Sequence, residues 1–149
     1  MNKWFLSLFL ALTTVDMGTK QHIEDTWKKG EERETILPGI VCRKVYNKGF
    51  FMNFMDQNPK VIKGVSAVLA ALIALADYLL LQEKGRWMEK LGMVFVSAGA
   101  FSNIFDRLVR GKVIDYFGVK CKNKKISRIT ANLADVYIVI GSTFLWRYR

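Results

Sequence analysis

The sequence predicts an all-α integral membrane protein with four transmembrane helices, and three observations lead there. Four apolar stretches stand apart from the charges, in a chain that is 51% hydrophobic yet 24% charged. These stretches are apolar around most of their circumference and lack the polar face of a soluble surface helix. Small residues recur in the third (Gly92, Ser97, Ala98, Gly99 and Ala100), as close helix contacts in lipid favour. At 149 residues the chain suffices for one domain.

The spans are expected at about residues 4–19, 61–81, 89–106 and 129–146, within a single membrane-embedded domain. Crossing a bilayer takes about 20 mainly apolar residues, which only the second stretch supplies unaided. The others rely on flanking residues, local thinning or snorkelling Lys and Arg. A soluble helical bundle is the alternative, because its buried helices have similar lengths. The first stretch also looks like a cleavable secretory signal, with Lys3 ahead of an apolar run, but no A-x-A cleavage pattern follows. Asp16 and Lys20, four apart on one helix face, favour its retention by pairing at the helix end. Between the first two spans, a loop at about 20–60 contains Pro38, Gly39 and a β-favouring run at 40–46.

Four spans put both termini and the 82–90 turn on one side. Trp4, Trp87 and Trp146 then share one interface, where aromatic rings prefer to sit. That side carries six basic residues (Lys3, Lys84, Arg86, Lys90, Arg147 and Arg149). The 106–130 loop carries eight, including Lys120, Lys122, Lys124 and Lys125, so a bare positive-inside count would turn this loop to the cytoplasm.

Composition also narrows the chemistry. One histidine, His22, and two distant cysteines, Cys42 and Cys121, leave no His/Cys set for zinc. A Ser-His-Asp triad has only His22 to draw on. The two cysteines either form a disulfide or remain free thiols. The net charge of +10 suggests an anionic partner, nucleic acid or membrane surface. The basic residues cluster at the ends of apolar spans rather than on a soluble face with stacking aromatics, which argues against nucleic acid.

Carboxylates are therefore the expected reagents. Charged side chains in or beside a span are functional candidates, and five stand out: Asp16, Asp77, Asp106, Asp115 and Asp135. Asp77 lies toward the opposite side from the rest and is read as snorkelling or water-facing, outside any site. Asn103, Asp106 and Arg107 share one face at the end of span three. Asp115 sits inside the apolar run 113–117, and Asn132 and Asp135 open span four. A hairpin between spans three and four brings Asp115 and Asp135 to the same depth. Two carboxyls close together in a low-dielectric site share a proton, as aspartic-protease chemistry requires. The alternative is that these acids only neutralise Arg107, Arg110 and Lys112.

At these residues the sequence resembles the signal peptidase II family of bacterial lipoprotein signal peptidases. Residues Asp16 to Lys20 resemble the family's D-x-x-T-K block, and Asn47-Lys48-Gly49, followed by Phe50 and Phe51, its N-x-G-aromatic loop. Residues Asn103 to Leu108 match N-x-x-D-R-[LF]. Gly111 to Tyr116 match G-x-V-x-D-[FY], and Asn132 to Asp135 match N-x-A-D. Five ordered blocks cover about residues 10–145.

The resemblance implies a four-helix protease of the bacterial cytoplasmic membrane with both termini cytoplasmic. It places the active site outside the cytoplasm, under a small β-rich loop platform. It implies Asp115 and Asp135 as the catalytic dyad, with Asn47, Asn103, Arg107 and Asn132 binding substrate and Asp16, Lys20, Gly49 and Asp106 in support. The substrates implied are prolipoproteins, cut before a diacylglyceryl-modified cysteine. No metal or organic cofactor is implied, and a monomer is expected. The chain departs from the family pattern at Phe50-Phe51-Met52, at Thr130-Ala131, at Val136 and in the basic insert 120–128. That insert is read as touching anionic headgroups, each basic residue contributing about 1 kcal/mol. The altered loop motivates a rival reading, a diverged, non-catalytic membrane protein of the same fold.

Overall fold

The computed structural model describes residues 3–49, 58–123 and 126–148. The expectations for Phe50-Phe51-Met52, Lys124 and Lys125 lie outside these residues. The described chain is mostly helical: α1 (Lys3–Thr26), α2 (Pro59–Gln82), α3 (Trp87–Phe105) and α4 (Leu133–Arg147). Between the helices run β1 (Glu32–Glu34), β2 (Ile40–Asn47), β3 (Val113–Val119) and β4 (Thr130–Ala131), which form one antiparallel sheet in that order.

Helices α1 and α2 expose many large apolar residues, and most of what α1 buries is polar. Helix α1 buries Thr13, Asp16, Lys20 and Ile23, one stripe of its surface, while Leu10 and Val15 face outward. Helix α2 buries only Ile62 and Ser66, and Val68, Leu72, Leu75 and Leu79 are exposed. In water this arrangement would be costly; in hydrocarbon it is the economical one, since only the polar groups need shelter. Among the described residues, α2 alone is both long and apolar enough to cross a bilayer by length and composition, with mean hydropathy 2.2.

Helix α3 is the centre of the bundle and packs most extensively on α4. Gly92, Gly99 and Gly141 make the close approach possible. A Cβ at Gly99 would collide with the Ala134 carbonyl and Ile138, and one at Gly92 would lie 2.8 Å from the Gly141 carbonyl oxygen. A tilted ring contact between Phe5 and Trp87, 5.3 Å between centres, puts the start of α1 beside the start of α3. The Gly92 contact with Phe144 puts the end of α4 there too. The sheet occupies the other end of the bundle.

The β-favouring run at 40–46 is the core of β2, as its branched residues suggest. The sheet also recruits β3 and β4, which turns the apolar run around Asp115 into a central strand. Helix α4 begins at Leu133, because Thr130 and Ala131 pair with Gly118 and Phe117 instead. The sheet is fastened to the end of α1. Lys44 Nζ donates to the carbonyls of Glu24 (2.7 Å) and Trp27 (2.8 Å), satisfying groups that a helix end leaves open. Lys112 pairs with Glu24 at 2.9 Å and lies 3.5 Å from the centre of the Tyr46 ring. Burial would raise the Glu24 carboxyl, but hydrogen bonds from Lys112, Tyr46 and Lys44 outweigh it and bring it down to about 2. Ile23, Ile114 and Tyr116 form the apolar core of this joint. Cys42 and Cys121 are both free thiols. Asp77 is half-buried and accepts a hydrogen bond from Ser97 of α3 at 2.8 Å.

Candidate active site

Strand alternation decides where Asp115 points. Ile114 and Tyr116 face the α1 joint, so Val113 and Asp115 take the opposite face and line a cleft of about 320 Å³. Asp135 reaches the same cleft from the first turn of α4, as do Asn47, Asn103, Arg107 and Thr130. The structure therefore brings both predicted carboxyls together with three of the four predicted substrate residues. Asn132 stands just behind, fully buried.

Three asparagines hold the carboxyls by one device. Each carbonyl oxygen is claimed by a group that can only donate, which turns the amide nitrogen toward an acid. Lys20 Nζ donates to Asn103 Oδ1 (2.9 Å), and Asn103 Nδ2 donates to Asp135 Oδ1 (2.9 Å). The Asp135 backbone N–H donates to Asn132 Oδ1 (3.1 Å), and Asn132 Nδ2 donates to Asp115 Oδ1 (2.8 Å). The Gly49 N–H donates to Asn47 Oδ1 (3.1 Å), and Asn47 Nδ2 donates to Asp115 Oδ2 (3.4 Å). These residues were expected to bind substrate, and here their amides also orient the acids. Arg107 donates to the Gly49 carbonyl (3.3 Å), which ties the π-helical turn Asp106–Arg110 to the end of β2.

Asp16, Lys20 and Asp106 form the layer behind. Lys20 is fully buried and pairs with Asp16 at 2.8 Å and Asp106 at 3.1 Å. It also donates to Ser102 (3.0 Å), which itself donates to Asp16. Asp16 and Lys20 thus pair as their spacing suggests, but in the interior of the bundle. Asp106 is further neutralised by Arg110 at 2.9 Å.

Sequence reasoning passed over two residues. Thr130 donates to Asp115 Oδ2 at 3.1 Å. Tyr116 donates to Asp16 Oδ1 (2.8 Å) and accepts from the Leu133 N–H (3.0 Å). With it, the start of α4 is completely satisfied. Ala134 N–H goes to Asp16 Oδ1 (3.2 Å), Asp135 N–H to Asn132, and Asn132 N–H to Asp135 Oδ2 (3.0 Å), the last two forming a capping box. The advance signals for Tyr116 were its place beside Asp115 and the aromatic position of the G-x-V-x-D-[FY] block.

Burial, and then the negative charge of Asp135, push the Asp115 carboxyl up to about 6, against the bonds from Thr130, Asn132 and Asn47. Asp115 therefore keeps its proton to a higher pH than an ordinary carboxyl does. Among the described residues, no group of three His, Cys, Asp or Glu side chains is placed to hold a metal ion.

Comparison with known proteins bears on the fold and the family. Two solved structures, each of a bacterial membrane enzyme obtained by the in meso method, share the fold. One has a TM-score of 0.83 at 18% identity, covering 97% of this chain and 86% of the other. The second has a TM-score of 0.80 at 18% identity, covering 99% and 92%. The lipoprotein signal peptidase of Blochmanniella pennsylvanica is 30% identical over 148 residues, 96% of this chain and 86% of that protein. That of Moorella thermoacetica is 30% identical over 141 residues, 95% and 89%. That of Clostridioides difficile is 34% identical over 104 residues, 70% and 66%. The pattern of the family described as Signal peptidase (SPase) II matches residues 8–148, and to that family of bacterial membrane proteases this chain belongs.

Proposed function

We propose that the chain removes signal peptides from prolipoproteins, cutting before the diacylglyceryl-modified cysteine, with Asp115 and Asp135 as its catalytic pair. The observation that carries this is the convergence of two carboxyls, one from a strand and one from a helix, on one cleft and one set of amide donors. The pair holds one proton. The ionised carboxyl takes a proton from water as the water oxygen bonds to the scissile carbonyl carbon. The protonated carboxyl passes its proton to the carbonyl oxygen, giving a tetrahedral diol. Collapse of the diol breaks the C–N bond. The leaving nitrogen takes the proton that the first carboxyl gained from water, the second carboxyl takes one back from a diol hydroxyl, and the signal peptide departs with a new carboxyl group. Asn47, Asn103 and Arg107 position the carboxyls and the substrate backbone, Asn132 orients Asp115 from behind the cleft, and Asp16, Lys20, Gly49 and Asp106 hold them in place. No cofactor enters this reaction.

The four helices are read as spans of one membrane-embedded domain, with both termini cytoplasmic and the sheet on the extracytoplasmic face, the chain acting as a monomer. At 1.5 Å per residue, α1 and α2 extend about 36 Å, α3 about 28 Å and α4 about 22 Å. The exposed apolar surfaces of α1 and α2 support that reading, and the substrates are met only after translocation, which outweighs the local count of basic residues. Nucleic acid has no place in it.

The test is cleavage of a diacylglyceryl-modified prolipoprotein in detergent by wild type, Asp115→Asn and Asp135→Asn. Wild type is expected to cut before the modified cysteine, and each folded variant to lose activity by about 10²-fold to 10⁴-fold. Variants as active as wild type would refute the pair, and an inert wild type would leave a lipoprotein-binding relative of the enzyme.

A further inference from the structure

The hairpin between β1 and β2 ends in a tip that nothing in the reaction uses. Ile36 there is 99% exposed and Leu37 55%, while Ile40 and Val119 beside them are 37% exposed. The tip is built rather than loose. Thr35 Oγ1 donates to the Ile40 carbonyl at 2.8 Å, and the Leu37 N–H returns to Thr35 Oγ1 at 3.2 Å. The Ile40 N–H closes the turn on the Leu37 carbonyl (3.1 Å), with Gly39 at φ +80. The turn therefore holds two large aliphatic side chains outward.

The first residues of the basic insert lie alongside. The Lys120 N–H donates to the Gly39 carbonyl at 2.8 Å, and Ile40 pairs with Val119 in the sheet. Lys120 reaches Glu34 at 2.8 Å, and Lys122 is exposed. Glu34 offsets the charge of Lys120, so the patch combines projecting aliphatic groups with the exposed Lys122, a composition suited to the boundary of an anionic bilayer. The patch does not reach the reacting bond: β2 runs about 23 Å from Ile40 to Asn47 at about 3.3 Å per residue. A bilayer lies within reach because the chain is a membrane protease, whose apolar helices end under this sheet.

We infer that the Ile36–Leu37 tip and the adjoining Lys122 form an anchor that inserts into the surface of an anionic membrane and seats the sheet over the cleft. This rests on the reading of the sheet as lying on the membrane face. The aliphatic pair enters the headgroup boundary, and the lysine meets lipid phosphates.

The test places an environment-sensitive fluorophore at position 36 (Ile36→Cys, with Cys42→Ser and Cys121→Ser) in the full chain, reconstituted into vesicles. With phosphatidylglycerol in the vesicles, the emission is expected to shift to the blue relative to detergent. Lys122→Glu is expected to reduce the ratio of inserted to free label by at least about fivefold. Water-like emission in every vesicle overturns the anchor, as does a blue shift that needs another protein or is indifferent to anionic lipid. Separately, Ile36→Ser/Leu37→Ser is expected to slow prolipoprotein cleavage in anionic vesicles and to leave it unchanged in detergent; equal loss in both refutes seating. If wild type cuts no prolipoprotein, the proposed function fails while the fluorescence still decides the anchor.

Discussion

Replacing Tyr116 by phenylalanine tests whether the start of α4 is held as the hydrogen bonds imply. The substitution keeps the ring that packs with Ile23 and Ile114 and removes one oxygen. That oxygen makes two bonds, one donated to Asp16 and one accepted from the Leu133 N–H. Burial, and then the Asp16 charge, hold the phenol above its ordinary value, so at working pH it is a donor. Without it the Leu133 N–H has no partner, which costs about 1–3 kcal/mol. The bond to Asp16 is worth about 1.5–3 kcal/mol, less here because Lys20, Ser102 and Ala134 still hold that carboxylate. The expected loss is about 2–4 kcal/mol, or a drop of about 4–16 °C in the midpoint of a thermal unfolding curve in detergent. Asp135 lies two residues beyond Leu133, so kcat should fall by about tenfold or more even where the variant is folded. A midpoint within about 1 °C of wild type, with activity retained, would show that the helix start has another support and that the capping argument is wrong.

Other consequences are as direct. The Asp115 proton is lost near pH 6, so kcat/KM should fall as pH rises through about 6, and Asp135→Asn should lower the Asp115 carboxyl, read by the pH dependence of its NMR signal. The folded pKa of Asp115 lies above its ordinary 3.8, so its contribution to stability is fullest below that value and declines as pH rises toward 6. Lys20→Met leaves two buried carboxylates without their shared cation and should cost about 3–5 kcal/mol in thermal unfolding. Adding Asp16→Asn should recover part of that loss, because the sites are coupled. Gly99→Ala should cost about 1–3 kcal/mol and reduce activity by displacing Ala134 and its neighbour Asp135. Gly64→Ala, whose Cβ meets nothing within 4 Å, should be close to neutral in both assays.

The acids were legible in the sequence because a carboxyl in an apolar run is unusual in itself. Asp115 and Asp135 needed no partner to be noticed, and ordered motifs assigned them a role. Lys20 was legible as the partner of Asp16 by spacing, but its depth was not, because burial is decided by α3 packing across both. The orientation of the asparagines was also hidden. Asn103 is fixed by a lysine 83 positions earlier, and no local pattern contains that distance. Strand β3 could not be recognised either. Its pairing with β2 spans a whole helical hairpin, and its apolar residues read equally well as the end of a membrane helix. Thr130 was noted only as a departure from the family pattern, yet its hydroxyl supplies a donor to Asp115.

The closed start of α4 has a consequence for how water reaches the reaction. A helix whose first N–H groups all rest on protein side chains makes no demand on solvent for its own backbone at that tip. Water that enters the cleft between Asp115 and Asp135 therefore meets no unpaired backbone donor at the helix start, and its polar contacts there are the two carboxyls and the side chains of Asn47, Asn103, Arg107 and Thr130.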